Sequence, residues 1–132
     1  MTVTYEWRGD VDGAALAALH AEGFGGPPAP APDRVERLRR HSLGWVCARE
    51  AGHLVGFVNV AWDGGVHAFL LDTVVSRRCR GRGVGTALVA RATEGARAAG
   101  CEWLHVDYED PLHAFYADAC GFRPTRAGLI PL

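Results

Sequence analysis

The sequence predicts a single α/β domain in which a sheet assembled largely from hairpins is covered by helices. Three observations carry that expectation. Two strand-like runs, "WVCARE" (45–50) and "HLVGFVNVAW" (53–62), are rich in β-branched and aromatic residues and are joined only by a short Ala-Gly turn. The "DGG" at 63–65 is a second turn signal and starts a third strand over 66–75. Beyond it, Val84, Ala87, Leu88, Ala92, Gly95, Ala96 and Ala99 recur at three- and four-residue intervals, the period of a helix with one small apolar face.

The remaining elements follow in order. "TVTYEWR" (2–8) suits a first strand. Asp10 or Asp12 can cap a following helix, whose stripe is Ala15, Leu16, Ala18 and Leu19. "GFGGPPAPAP" (23–32) breaks regular structure and reads either as a surface loop or as a lip over a site. A second helix restarts at Asp33. After the long helix, Gly100 is a natural stop. "EWLHVDY" (102–108) reads as a strand, "LHAFYADAC" (112–120) as a short helix closed by Gly121, and "FRPTRAGLI" (122–130) as a last extended segment. The order is β-α-α-β-β-β-α-β-α-β, one domain over residues 1–132.

Bulk properties exclude several function classes. The formal net charge is −1, so no global field draws in nucleic acid. No apolar run reaches the length of a membrane span, and the first ten residues lack the basic start and apolar run of a secretory leader. Cys47, Cys79, Cys101 and Cys120 form no Cys-x-x-Cys pair and read as reduced thiols of a cytoplasmic protein, with a Cys101–Cys120 bridge left open. The six histidines show no ligand spacing, so no metal is expected.

The chemistry concentrates in "SRRCRGRGVGTALV" (76–89). Four arginines (77, 78, 80 and 82) and three glycines (81, 83 and 85) lie between a strand and a helix N-terminus. Such a junction presents unpaired backbone N–H groups, the helix dipole adds positive charge, and glycine lets backbone approach an anion. Pyrophosphate is the natural guest. The segment is no P-loop, since Gly85 is followed by Thr86-Ala87, and no dinucleotide fingerprint, since Thr86 or Leu88 occupies the last glycine position.

"VVSRRCRGRGVGTALV" resembles the acyl-CoA-binding signature of the Gcn5-related N-acetyltransferase (GNAT) superfamily, through Arg80-Gly81-Arg82-Gly83-Val84-Gly85 and the preceding Val75. "FYADACGF" (115–122) is similar to the family's later Phe-Tyr-x-x-x-Gly-Phe segment. Ser76-Arg77 stands where the family often has proline, and Glu109 where it often has asparagine. The resemblance implies a mixed, mostly antiparallel sheet, splayed between the fourth and fifth strands, with acetyl-CoA in the gap. It implies that the backbone of Thr73, Val74 and Val75 pairs with the pantetheine arm, and that the amides from Gly81 to Thr86 hold the pyrophosphate. Arg77, Arg78 or Arg82 is left for the adenosine 3′-phosphate.

Acetyl transfer to an amine requires a base for the amine, a donor for the oxyanion and a proton for the leaving thiolate. The resemblance makes Tyr116 the acid. For the base, three residues stand out. Asp72 interrupts the apolar "FLLDTVV", where a carboxylate is costly unless paired or facing a cleft. His105 and Asp107, two apart on the fifth strand, share one face. Carboxylates at 72, 102, 107, 109 and 110 favour a cationic amine acceptor. The expected activity is acetyl-CoA-dependent N-acetyl transfer to a small or peptide amine. The alternatives are an acyl-CoA-binding module without catalysis and a basic nucleic-acid-binding loop. Homodimer formation is compatible with an open cleft.

Overall fold

A computed structural model describes residues 2–27 and 32–132. Five strands form one sheet in the order β1-β2-β3-β4-β5. They are β1 (Val3–Trp7), β2 (Ser42–Glu50), β3 (His53–Trp62), β4 (His67–Val75) and β5 (Trp103–His105). The first three pairings are antiparallel and the β4–β5 pairing is parallel, so the sheet is mixed as expected. Helices α1 (Gly13–Phe24) and α2 (Pro32–His41) pack on one face, and α3 (Val84–Ala98) packs on the other.

Each face has its own apolar core. Against α3 lie Val46, Val55, Val58, Val60, Ala68 and Leu70, met by Val84, Leu88, Ala92 and Ala96 of the helix. Against α1 and α2 lie Trp45, Cys47, Phe57 and Val74, met by Leu16, Leu19 and Leu38. Small residues on α3 allow a close approach. The Trp7 indole fills the space that a β-carbon on either Gly44 or Gly95 would need, and the Arg91 guanidinium lies 5.6 Å from its ring centre. Of the two capping candidates, Asp12 caps α1, its Oδ2 accepting from Ala15 N at 3.1 Å.

A bulge in β4 re-aims the strand that borders the site. Between the pairs Phe57–Val74 and Asn59–Leu71, one residue of β3 faces two of β4, Asp72 and Thr73. Asp72 absorbs the extra residue with φ +56°, in the left-handed region that a side chain seldom occupies. Without the bulge, Ala68, Leu70 and Val74 would share one face. With it, the first two face α3 and Val74 faces α1.

The fifth strand is shorter than its sequence suggests. It pairs with β4 only from His67–Trp103 to Phe69–His105, and beyond that rung the two strands part. Residues 106–109 take no strand partner, although β4 runs on through Leu70 and Leu71 before its bulge. The expected last helix is a 3₁₀ turn (Asp110–Leu112) followed by a π-helical stretch (Ala114–Ala119), closed by Cys120 N to Phe115 O at 2.9 Å. The expected final strand does not form: residues 121–132 pair with no strand of the sheet, and Pro124 and Pro131 lack the N–H that a ladder needs.

Candidate active site

A cleft of about 640 Å³ opens where β4 and β5 part. One wall is the strand end Thr73–Val75. The floor is the arginine-glycine loop and the start of α3. The opposite wall is Leu112, Phe115 and Tyr116, and Gly23 and Phe24 at the end of α1 reach over it. Residues 28–31 of the Pro/Gly segment, read from sequence as loop or lip, lie outside the described residues.

The loop is built for an anion. Ser76 N donates to Val55 O at 2.8 Å and ends β4. A 3₁₀ turn (Arg77–Cys79) follows, with Cys79 N donating to Ser76 O at 2.9 Å. Gly81 and Gly83 both have positive φ, and a β-carbon at either would meet no atom within 4 Å, so their faces are open. Gly83 is the N-cap of α3 and no side chain caps that end. The first bond of the helix from Gly83 is Ala87 N to Gly83 O at 3.1 Å. The N–H groups of Val84, Gly85 and Thr86 therefore precede the helical ladder and point out of its positive end. This is the donor set that a diphosphate requires, so the residues fit the acetyl-CoA that the sequence implies. Gly85 is needed for a different reason: a β-carbon there would come within 3.1 Å of the Phe115 ring.

Ten of the residues expected at the site line this cleft: Thr73, Val74, Val75, Arg80, Gly81, Gly83, Val84, Gly85, Thr86 and Tyr116. Arg82 turns away from it, its Nη2 donating to Glu50 Oε2 at 2.9 Å. Arg80 Nε donates to Val75 O at 3.1 Å, which folds the arginine back along the strand edge.

Tyr116 is buried at the head of the cleft, stacked on Tyr108 with ring centres 5.1 Å apart and edge-on to Phe115 at 4.7 Å. Burial pushes its phenol above the ordinary value. The Thr73 hydroxyl opposes that rise, and the nearby Cys120 and Asp107 add to it. The phenol thus stays protonated at neutral pH and can give a proton.

The three base candidates do not line the cleft and lie in different settings. Asp72 is on the bulge, its carboxylate 3.8 Å from His20 Nε2 of α1 and substantially exposed. Asp107 is exposed and close enough to Tyr116 to act on it by charge. His105 sits on the last rung before the strands part, stacked on Phe69 at 4.7 Å, and its Nε2 is 2.8 Å from His67 Nδ1.

Sequence reasoning did not single out Glu22, Glu50 or His67. Glu22 Oε1 accepts from Arg77 N at 2.5 Å and Ser76 Oγ at 3.3 Å, tying α1 to the loop. Each of the three is a polar residue at an element's edge, where local pattern does not distinguish a solvated group from a partnered one. All four cysteines are free thiols, including Cys101 and Cys120. No helix among the described residues is long and apolar enough to cross a membrane, and no cluster of three metal-ligating side chains is found among them.

Comparisons with known proteins identify the family and the fold. Residues 14–122 match the model of the acetyltransferase (GNAT) family. The chain is 42% identical over 59 residues to a probable glucosamine 6-phosphate N-acetyltransferase of Oryza sativa subsp. japonica, covering 45% of this chain and 35% of that protein. It is 29% identical over 130 residues to the mycothiol acetyltransferase of Nocardia farcinica, covering 94% of this chain and 42% of the relative. The chain therefore matches less than half the length of either curated relative. A solved acetyltransferase of Trypanosoma brucei has the same fold, with a TM-score of 0.85 at 20% identity over 98% of this chain and 99% of that one. With the family match spanning most of its length, the chain belongs to the GNAT family of acetyltransferases, which use acetyl-CoA as acyl donor.

Proposed function

We propose that this protein transfers the acetyl group of acetyl-CoA directly to a cationic primary amine. The observation that carries the reading is the cleft itself: the uncapped start of α3, the strand edge Thr73–Val75 that no other strand pairs, and the buried Tyr116 phenol line one space.

Tyr116 is the acid and His105 the base. The ammonium of the acceptor gives a proton through water to His105, which later releases it to solvent, and the freed nitrogen attacks the thioester carbonyl carbon. As the C–N bond forms and the C–S bond breaks, the sulfur takes the proton of Tyr116. The second nitrogen-bound proton returns to the phenolate through water. Imidazole is suited to this exchange near neutral pH. Two features support His105 over the carboxylates: its place on the rung where the strands part, and its bond to His67, which fixes the ring. Asp72 and Asp107, both exposed near that opening, favour a positively charged acceptor.

The test has two steps. Saturating acetyl-CoA should raise the melting temperature; no shift removes the reading. A panel of primary amines, assayed by free-thiol release, should then show transfer to cationic members, and transfer confined to anionic amines would overturn the acceptor class.

A further inference from the structure

Two carboxylates grip the basic loop, one from each side. Glu22 reaches it from α1. Glu50, the last residue of β2, reaches it from the other side and is 4% exposed. It accepts from Arg82 Nη2 at 2.9 Å and from Arg78 Nη1 at 3.4 Å. A buried carboxylate is costly unless it is paired and hydrogen-bonded, and here two guanidiniums meet it.

The arrangement also closes the turn. Arg82 sends its other terminal nitrogen to Cys79 Sγ, 3.7 Å away, and Cys79 is fully buried. One arginine thus fastens position 79 and its own position 82 to the end of β2. Between them lies Gly81, and Gly83 follows, both with positive φ. Glycine opens the backbone to an anion but also makes it soft. A set of N–H donors binds tightly only when something else holds it in shape, because ordering it on binding costs affinity.

We propose that Glu50 is a positioning residue for the diphosphate-binding loop, acting through Arg82 and Arg78 to hold the 79–83 turn so that the N–H groups beyond Arg80 face the cleft. Glu50 itself lines no part of that cleft. The inference rests on the acetyl-CoA reading above, and it makes an unusual prediction of sign. A carboxylate near an anion site repels the anion, so by charge alone its removal tightens binding. If Glu50 holds the loop, its removal weakens binding.

Calorimetric titration with CoA tests this on the wild type and on Glu50→Gln, Glu50→Asp, Arg82→Gln and the Glu50→Gln/Arg82→Gln double variant. Glu50→Gln is expected to weaken CoA binding about tenfold or more, with an unchanged far-UV spectrum. Glu50→Asp, which keeps the charge with a shorter reach, should recover part of the loss. The double variant should bind no worse than the weaker single variant, since both changes break one linkage. Wild-type or tighter binding by Glu50→Gln overturns the proposal, as do losses that add in the double variant. Should Glu50→Gln fail to fold, Glu50→Asp decides: an intermediate loss supports the proposal and full affinity overturns it. Failure of the wild type to bind CoA sinks the acetyl-CoA reading itself, and needs no variant to reveal it.

Discussion

His67 Nδ1 and His105 Nε2 stand 2.8 Å apart across the last stretch of paired backbone before β4 and β5 diverge. One proton is shared in that bond. When His105 donates from Nε2, its Nδ1 is left as a bare lone pair, which is the state that can accept from an ammonium. Replacing His105 with Ala is expected to lower kcat by about 10²-fold or more, the usual contribution of a positioned base. His67→Phe, which leaves His105 present but unoriented, should give a smaller loss. Affinity for CoA should be unchanged in both. Thiol-release kinetics with a transferring amine, together with calorimetry, separate the two effects. An unchanged kcat in His105→Ala would remove it as the base.

Tyr116 is expected to act late in the reaction, on the departing sulfur. Tyr116→Phe keeps the ring packed on Tyr108 and against Phe115, so folding and CoA binding should survive. Loss of the acid should lower kcat by about 10²- to 10⁴-fold. Burial holds the phenol above its ordinary value of 10.0, so its deprotonation should appear in the pH profile only above pH 10. A fall in kcat attributable to Tyr116 at pH 8 to 9, absent from Tyr116→Phe, would contradict that assignment.

At Gly23, α1 lies directly against Val74 of β4. A β-carbon there would overlap Val74 Cγ2, and both residues line the cleft. Gly23→Ala should force the end of α1 away from β4 and destabilise the fold by about 1–3 kcal/mol, the range for overpacking a close contact. It should also weaken CoA binding, because Glu22 next to it holds Arg77 N and Ser76 Oγ. Urea unfolding and a CoA titration measure the two effects. Wild-type values in both would mean that α1 adjusts without cost.

The parts of this molecule that were legible in its sequence are those fixed by local pattern. The hairpins over 45–75 and the small-faced helix after Gly83 announce themselves by period and turn residues, and the loop between them by its glycines. Tyr116 was legible only because a second family-like segment surrounds it. What was not legible depends on residues distant in sequence. Nothing near Glu50 indicates that Arg82, 32 positions later, neutralises it. Likewise, His67 gains meaning only from His105, 38 positions on. The early end of β5 had no local signal: the strand-like run continues through Val106 and Tyr108, while the pairing stops at His105.

Asp72 interrupts an apolar strand, and the bulge explains why without assigning it catalysis. Its φ of +56° is tolerated best by glycine and, among side chains, by Asp or Asn. Asp72→Gly and Asp72→Asn should therefore fold with near wild-type stability, whereas Asp72→Val should cost about 1–3 kcal/mol from strain at a β-branched residue. If Asp72 serves only the backbone, Asp72→Asn keeps its kcat. A loss of 10²-fold or more in that variant, with folding intact, would transfer the role of base from His105 to Asp72.

Cys47 gives the fold an alkaline limit. It lies fully buried between Trp45 and Phe57 in the core under α1, and burial pushes its thiol up to about 11 from 9.0. Arg49 lowers it in part, while Glu6 adds to the rise. In the unfolded chain the thiol ionises near its ordinary value, so above pH 9 the unfolded state loses this proton before the folded state does. The folded state binds more protons there, and stability must fall as pH rises. The contribution is fully present below pH 9 and is lost as pH climbs towards and through 11. Tyr5 and Tyr116 shift in the same direction, so the wild type alone cannot isolate the thiol. Cys47→Ala removes it. Urea unfolding at pH 8 and pH 10.5 should show a smaller decline for Cys47→Ala than for the wild type, even though the variant starts lower because of its smaller side chain. Equal declines would mean that Cys47 ionises as readily in the folded protein as outside it.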